Sequence, residues 1–208
     1  MRRNVLNIAE RVVSEEGFEA LTIRGIAREL GYSPGAIYEY FENKEAILVT
    51  LFFHGTDGFV ERLEKSWNSF PPDADAISVF LQMGTVFRSF ALENPELYRF
   101  SYNVMKQPAD WGEEEGELPK GFDLIIKATD RGIAAGDLIN ADPITIAMSM
   151  WTAAHGFVSL EISGHFDHFR DTGVLADNDD VVHHMYRQCV QAVIRGWATD
   201  QGKAKLPG

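Results

Sequence analysis

The sequence predicts an all-α fold in two parts: a three-helix helix-turn-helix domain over residues 1–48 and a larger helical domain over residues 49–208, about nine helices in all. Three observations lead there. Apolar residues recur at helical spacing along most of the chain, and no convincing alternating strand interrupts them. Residues that break helices fall between the apolar runs, as at Gly17, Gly31, Ser33-Pro34-Gly35, Asn94-Pro95 and Asp142-Pro143. Near the N-terminus, Ala27 stands four residues before Gly31 among Ile26, Leu30, Tyr32, Ile37, Tyr40 and Phe41. That pattern supplies a small residue where two helices cross, a glycine in the turn, and apolar positions that join the helices into one core.

Each element has a local reason. In residues 4–16, Val5, Ile8, Ala9, Val12 and Val13 share one helix face, and Gly17 reads as a left-handed stop. Thr22 is the expected N-cap of a short helix through Leu30, closed by Gly31. Ser33 is expected to cap the next, with Pro34 at its first position, where the missing N–H costs nothing. Further helices are expected over about 44–67 and 74–93, and a short one from Asn94-Pro95 to about Met105. Residues 106–117, with Glu113-Glu114-Glu115, lack an apolar period and read as an acidic loop. Pro119 opens a helix ending at Gly136, and Asp142-Pro143 opens a long one to about His165. A polar loop with Asp177-Asn178 precedes a last helix ending near Thr199.

Composition excludes several classes. No apolar run is long enough for a signal peptide or a membrane span. Cys189 is the only cysteine, which rules out an internal disulfide framework and fits a reducing cytoplasm. No nucleophile-base pair, phosphate-binding glycine loop or paired carboxylate stands out, so neither an enzyme nor a cofactor is expected. The net charge of -12 disfavours nucleic acid for the molecule as a whole. Residues 1–50, however, hold six Lys or Arg against eight Asp or Glu, a net of -2, and the remainder carries -10.

The stretch from Gly17 to Arg24, with Ile26-Ala27 and Gly31-Tyr32-Ser33-Pro34-Gly35-Ala36-Ile37-Tyr38 running on to Glu45, resembles the DNA-binding domain of TetR-family transcriptional regulators. Trp151 with His155-Gly156, and Asn94 to Arg99, resemble the subgroup whose regulatory domain carries a Trp-His-Gly signature. The resemblance implies a homodimer that binds a double-stranded DNA operator and is released by a small-molecule effector. Gly25 departs from the family pattern, which usually has an acidic residue there and gains a favourable dipole contact.

A recognition helix presents its first turn to the bases. Here that turn is Ser33, Pro34, Gly35 and Ala36, small enough for close approach, with Ala36 able to meet a thymine methyl. Tyr38 points outward one turn on and matches the family's contacting tyrosine, and Lys44 matches a phosphate contact. Thr22 and Arg24 are further candidates, and Tyr40 suits either DNA contact or half-burial.

In the long helix from Pro143, the residues Thr145, Ser149, Thr152, Gly156, Ser159 and Ser163 form a stripe of small side chains that admits a close helix neighbour. In the last helix, Val182, Tyr186, Cys189, Val193 and Gly196 give a similar seam. The two suit a four-helix dimer interface or an intramolecular pair. Trp151 and His155, one turn apart, line either an effector pocket or the core; Phe87, Tyr98, Tyr102 and Met105 are further pocket candidates. The aromatic content favours an apolar or aromatic effector. A rival reading makes the chain a metal sensor using His165, Asp167, His168, Asp171, His183 and His184.

Overall fold

The computed structural model describes residues 1–71, 73–103, 121–176 and 178–207. Among them are eleven α helices and one 3-10 turn, and no strand. The helices are α1 (Arg2–Glu16), α2 (Ile23–Leu30), α3 (Pro34–Tyr38), α4 (Lys44–Ser69), α5 (Ala76–Glu93), α6 (Pro95–Asn103), α7 (Phe122–Ala134), α8 (Pro143–Ile162), α9 (His165–Asp171), α10 (Asp179–Trp197) and α11 (Asp200–Lys203); the 3-10 turn is Phe18–Ala20. None is long and apolar enough to cross a membrane. The expected acidic loop at 106–117, Pro119 and Asp177 lie outside the described residues.

Packing groups the described residues into two units. The first holds Met1–Phe59 together with α6, so it extends past residue 48. Val5, Leu6, Ala9, Leu21, Ile26, Ala27, Ile37, Phe41, Ile47 and Leu48 form its buried core. Phe100 of α6 enters that core and meets Phe18 edge-on, with ring centroids 6.3 Å apart. Gly17 ends α1 with φ 84° and ψ 163°, a positive φ outside the left-handed helical well that was expected. One sequence assignment is corrected here: Tyr32, read as a core position, is 53% exposed; Tyr40, left between DNA contact and half-burial, is 44% exposed. Helix α3 stops at Tyr38, and Phe41 reaches the core after a turn in which its N–H donates to the Ile37 carbonyl at 3.1 Å.

The second unit holds Val60–Glu93 and the described residues from Gly121 onward. Helix α8 is its centre and packs against α5, α7, α9 and α10. Asp142 caps α8 by accepting from the Thr145 N–H at 2.9 Å and the Thr145 hydroxyl at 2.6 Å, bonds that hold the Asp142 carboxyl below its usual range. The α8 helix ends at Ile162 because Gly164 turns at φ 76°; the polar loop expected after it contains a separate helix, α9, anchored by Phe166. The last helix likewise ends before Thr199, whose hydroxyl caps α11 by accepting from Gly202 N–H at 3.1 Å. Helix α11 and the turn after it sit tight against buried Asp137: Gln201 Nε2 of the helix lies 3.0 Å and Lys205 Nζ of the turn 2.5 Å from its carboxylate. A Cβ on Gly202 would come within 2.0 Å of the Asp137 carbonyl, so glycine is required for that approach.

Candidate nucleic-acid interface and aromatic cluster

The first unit presents its polar residues from three helix starts. Thr22 adopts the extended backbone of an N-cap, and its hydroxyl accepts from the Gly25 N–H at 3.0 Å. A Cβ at Gly25 would lie 2.9 Å from that same oxygen, so the missing side chain leaves room for the cap. At the other end of α2, the N–H groups of Gly31 (φ 73°) and Tyr32 close onto the Ala27 and Arg28 carbonyls. That turn fixes where α3 begins. Ser33 stands at its cap position in extended backbone with Pro34 first in the helix, and the cap makes no side-chain bond, so the Ser33 hydroxyl stays open. Asn43 starts α4 by accepting from the Ala46 N–H at 2.7 Å. Lys44 follows, its ammonium 3.5 Å from the Glu19 carbonyl, just ahead of Thr22.

Exposure separates the residues that hold this unit together from those it offers. Thr22, Arg24, Ser33, Pro34, Gly35, Tyr38 and Tyr40 are exposed, and Ala36 and Lys44 are partly so. Arg24 has no ion-pair partner among the described residues, whereas Arg11 is neutralised by Glu29 at 2.6 Å and Glu15 at 3.2 Å. The exposed surface therefore combines unpaired cations, free helix-start N–H groups and hydroxyls, which is what phosphate oxygens require. Tyr32, 53% exposed immediately after the turn, is an addition that the apolar pattern had hidden by counting it as core.

In the second unit, Phe87, Trp151 and His155 come together. The His155 ring lies edge-on to Phe87 at 4.6 Å and to Trp151 at 4.5 Å, and Phe122 adds an edge contact to Trp151 at 5.9 Å. Burial drives the His155 pKa down to about 3, so the cluster is uncharged throughout the physiological range. Phe122 was not foreseen: it stands far from α8 in sequence, and only packing brings it there. Tyr98 belongs to α6 in the first unit, where burial pushes its phenol pKa up. The side chain of Tyr102, and Met105, lie outside the described residues.

The small-residue stripe on α8 faces outward. Thr145, Thr152, Gly156 and Ser159 are exposed and Ser149 partly so, with Met148 (39%) and Leu160 (46%) exposed beside them. Ser149 is also engaged within the chain, accepting from the Trp197 indole N–H at 2.7 Å. On α10, Cys189 and Val193 are half-buried, and the space beside Gly156 and Gly196 is open. Two seam assignments are corrected: Val182 and Tyr186 are each 2% exposed within the single chain, and the Tyr186 hydroxyl donates to the Gly84 carbonyl at 2.6 Å. Tyr186 bonds to α5 and meets Phe157 of α8 edge-on at 5.4 Å, so this buried side of α10 holds the unit together internally.

The metal reading finds no constellation. Among the described residues no three His, Cys, Asp or Glu side chains gather as ligands. His183 instead meets Arg88 (Nδ1 to Nη1, 3.2 Å), and Asp167 pairs with Arg170 at 2.9 Å.

Comparison with known proteins agrees with this geometry. Residues 5–51 match the family described as bacterial regulatory proteins, tetR family, and residues 80–184 match the tetracyclin repressor-like C-terminal domain. The chain is 38% identical over 61 residues to a fatty acid metabolism regulator protein of Bacillus subtilis, a match spanning 29% of this chain and 31% of that protein. It is 21% identical over 202 residues to an HTH-type transcriptional regulator of Mycobacterium tuberculosis, covering 83% and 86% of the two chains. Among solved structures, a protein from Rhodococcus sp. RHA1 shares the fold with a TM-score of 0.72 at 24% identity, covering 95% of each chain. The regulator FadR from Bacillus subtilis, solved in complex with stearoyl-CoA, shares it with a TM-score of 0.68 at 19% identity, covering 94% and 99%. With both of its halves matched, the chain belongs to the TetR family of DNA-binding, ligand-responsive transcriptional regulators.

Proposed function

We propose that this regulator is a cytoplasmic repressor that occupies a palindromic operator as a homodimer and leaves it when a small apolar or aromatic effector binds. The observation that carries the reading is the set of exposed groups at three helix starts, Thr22 and Arg24, Ser33 to Tyr38, and Lys44, mounted on a dry core. The first turn of α3 approaches the base edges and Tyr38 and Tyr40 flank it, while Lys44 and the α2 start grip phosphate. The dimer forms through the outward stripe of α8, where Met148, Leu160 and the open space at Gly156 await a partner helix, together with Cys189 and Val193 of α10. Trp151, with His155-Gly156, supports assignment of the second unit to the Trp-His-Gly kind of regulatory domain.

The aromatic cluster of Phe87, Trp151 and His155, whose imidazole burial keeps neutral, favours an apolar effector, since burying an ion there is costly. One similar protein is named for fatty acid metabolism and another was solved with stearoyl-CoA, so a long acyl chain is the first effector to try.

The decisive experiment selects bound DNA from a random pool and measures the variants on the selected site. Lys44→Ala is expected to weaken all sequences by about 1 kcal/mol, and Tyr38→Phe to weaken the selected site more than competitors. Retention of full affinity by both variants would falsify this account of the DNA surface. Light scattering is expected to give twice the 23.3 kDa chain mass, and a monomer at micromolar concentration would remove the dimer.

A further inference from the structure

A cleft of about 400 Å³ lies between α5 and α10 in the second unit, apart from the aromatic cluster. Its polar wall comprises Ser78, Gln82 and Thr85 of α5 with His183, Tyr186 and Arg187 of α10. Among the described residues no carboxylate lines it, in a chain whose net charge is -12. The mostly buried acid Glu161, linked to the cleft residue His183 through Arg88, is cancelled: both its oxygens are taken by Arg88, from Nε at 2.8 Å and from Nη2, and the two side chains are 13% and 14% exposed.

The hydrogen bonds around the cleft decide what it offers. Tyr186 spends its hydroxyl hydrogen on the Gly84 carbonyl at 2.6 Å, and Thr85 spends its own on the Leu81 carbonyl at 2.9 Å. Arg88 donates to His183 Nδ1 at 3.2 Å, which fixes the imidazole as the tautomer with its proton on Nε2 and leaves that N–H as a donor. Arg187 is exposed and has no hydrogen-bond or ion-pair partner among the described residues. The available groups are therefore a guanidinium, an imidazole N–H, a hydroxyl and an amide, while Phe70, Leu81 and Val190 supply an apolar wall.

We propose that this cleft is a second small-molecule site, taking a small organic carboxylate whose apolar body lies against Phe70, Leu81 and Val190 and whose carboxylate meets Arg187 and His183. Guanidinium and carboxylate match in planar two-bond geometry, which an alcohol or an amine cannot reproduce. The volume lies within the range of ligand pockets and suits a one- or two-ring acid. On α10, His183, Arg187 and Val190 occupy one side; at about 100° per residue, Gln188, Ala192 and Gly196 fall on the opposite side. The cleft's lining shares no residue with the proposed partner-facing pair Cys189 and Val193 or with the aromatic cluster of Phe87, Trp151 and His155.

Titration calorimetry on the full chain, with 2-naphthoate as the probe, tests it. Naphthoate is expected to bind with Kd of about 1 mM or tighter, and 2-naphthalenemethanol about tenfold more weakly. Arg187→Gln is expected to reduce naphthoate affinity about tenfold, with Arg187→Lys recovering part of the loss. Because Arg187 is exposed, circular dichroism of both variants is expected to match the parent. In a 15N-labelled sample the Arg187 Nε–H resonance is expected to shift with naphthoate. Absence of binding, equal binding of the alcohol, an Arg187→Gln affinity within about twofold of the parent, or shifts confined to Trp151 and His155 would each overturn the proposal.

Discussion

The two units of this molecule hold their helices together with different material. Among the described residues, every buried side chain of the first unit is hydrocarbon or aromatic, from Val5 and Leu6 through Ile37 and Phe41 to Phe100. All the buried polar side chains, Ser66, Thr129, Asp137 and Gln191, belong to the second, as does the partly buried Arg88–Glu161–His183 network. A dry core fixes a single shape by close packing alone. A core with polar groups depends on each having a partner, and loses more when one is removed.

That contrast can be broken or sharpened by three measurements. The largest effect is expected from Phe41→Ala, which opens a cavity in the dry core and destabilises the first unit by about 3–5 kcal/mol. Hydrogen exchange should show amides of α1–α3 losing protection while those of α8 and α10 keep it; simultaneous loss throughout would show one cooperative unit rather than two. Next, Arg88→Met strands the mostly buried Glu161 and is expected to cost about 3 kcal/mol in urea unfolding. The double variant Arg88→Met/Glu161→Leu is expected to recover most of that loss; equal single and double values would mean the network contributes packing, not charge pairing.

The smallest effect concerns His155. Its pKa is about 3 in the folded chain against 6.5 for an unperturbed imidazole. Below pH 6.5 the unfolded chain takes up a proton that the folded chain refuses until near pH 3, so this contribution to stability is complete above pH 6.5 and declines as pH falls. At about pH 5 the loss amounts to about 2 kcal/mol. His155→Phe is expected to flatten the stability profile between neutral pH and that point; an unchanged slope would mean the imidazole titrates normally in the fold.

The same contrast explains what could be read from the sequence. In the first unit the determinants are local: the Thr22 cap, the Gly31 turn and Pro34 at the head of α3 lie within a few residues of the structure they cause. Its error came from an amphipathic residue, since Tyr32 satisfies an apolar pattern while keeping its ring in solvent. In the second unit the i, i+4 pair Trp151 and His155 and the candidate Phe87 were legible, but Phe122, which completes the cluster, arrives from another helix. Arg88 finds Glu161 and His183 at separations of 73 and 95 residues, beyond any periodic signal. Helix α9 escaped notice because seven residues with one buried anchor, Phe166, make too short a pattern to stand out among polar neighbours. Val182 and Tyr186 were assigned outward from helical spacing alone, which gives the relative angle of side chains around α10 but not which side meets α5.

In the α2–turn–α3 segment, the side chains that maintain the fold and those that face outward are separate sets. Ile26, Ala27, Ile37 and Phe41 are inside, while Arg24, Ser33, Tyr38 and Tyr40 are outside. On the DNA surface proposed above, substitutions in the outer set change the contacts made and leave the inner packing intact, so a lineage can drift from one target sequence to another without passing through an unfolded intermediate. The surface of this segment is, in evolutionary terms, freely editable text on a fixed page.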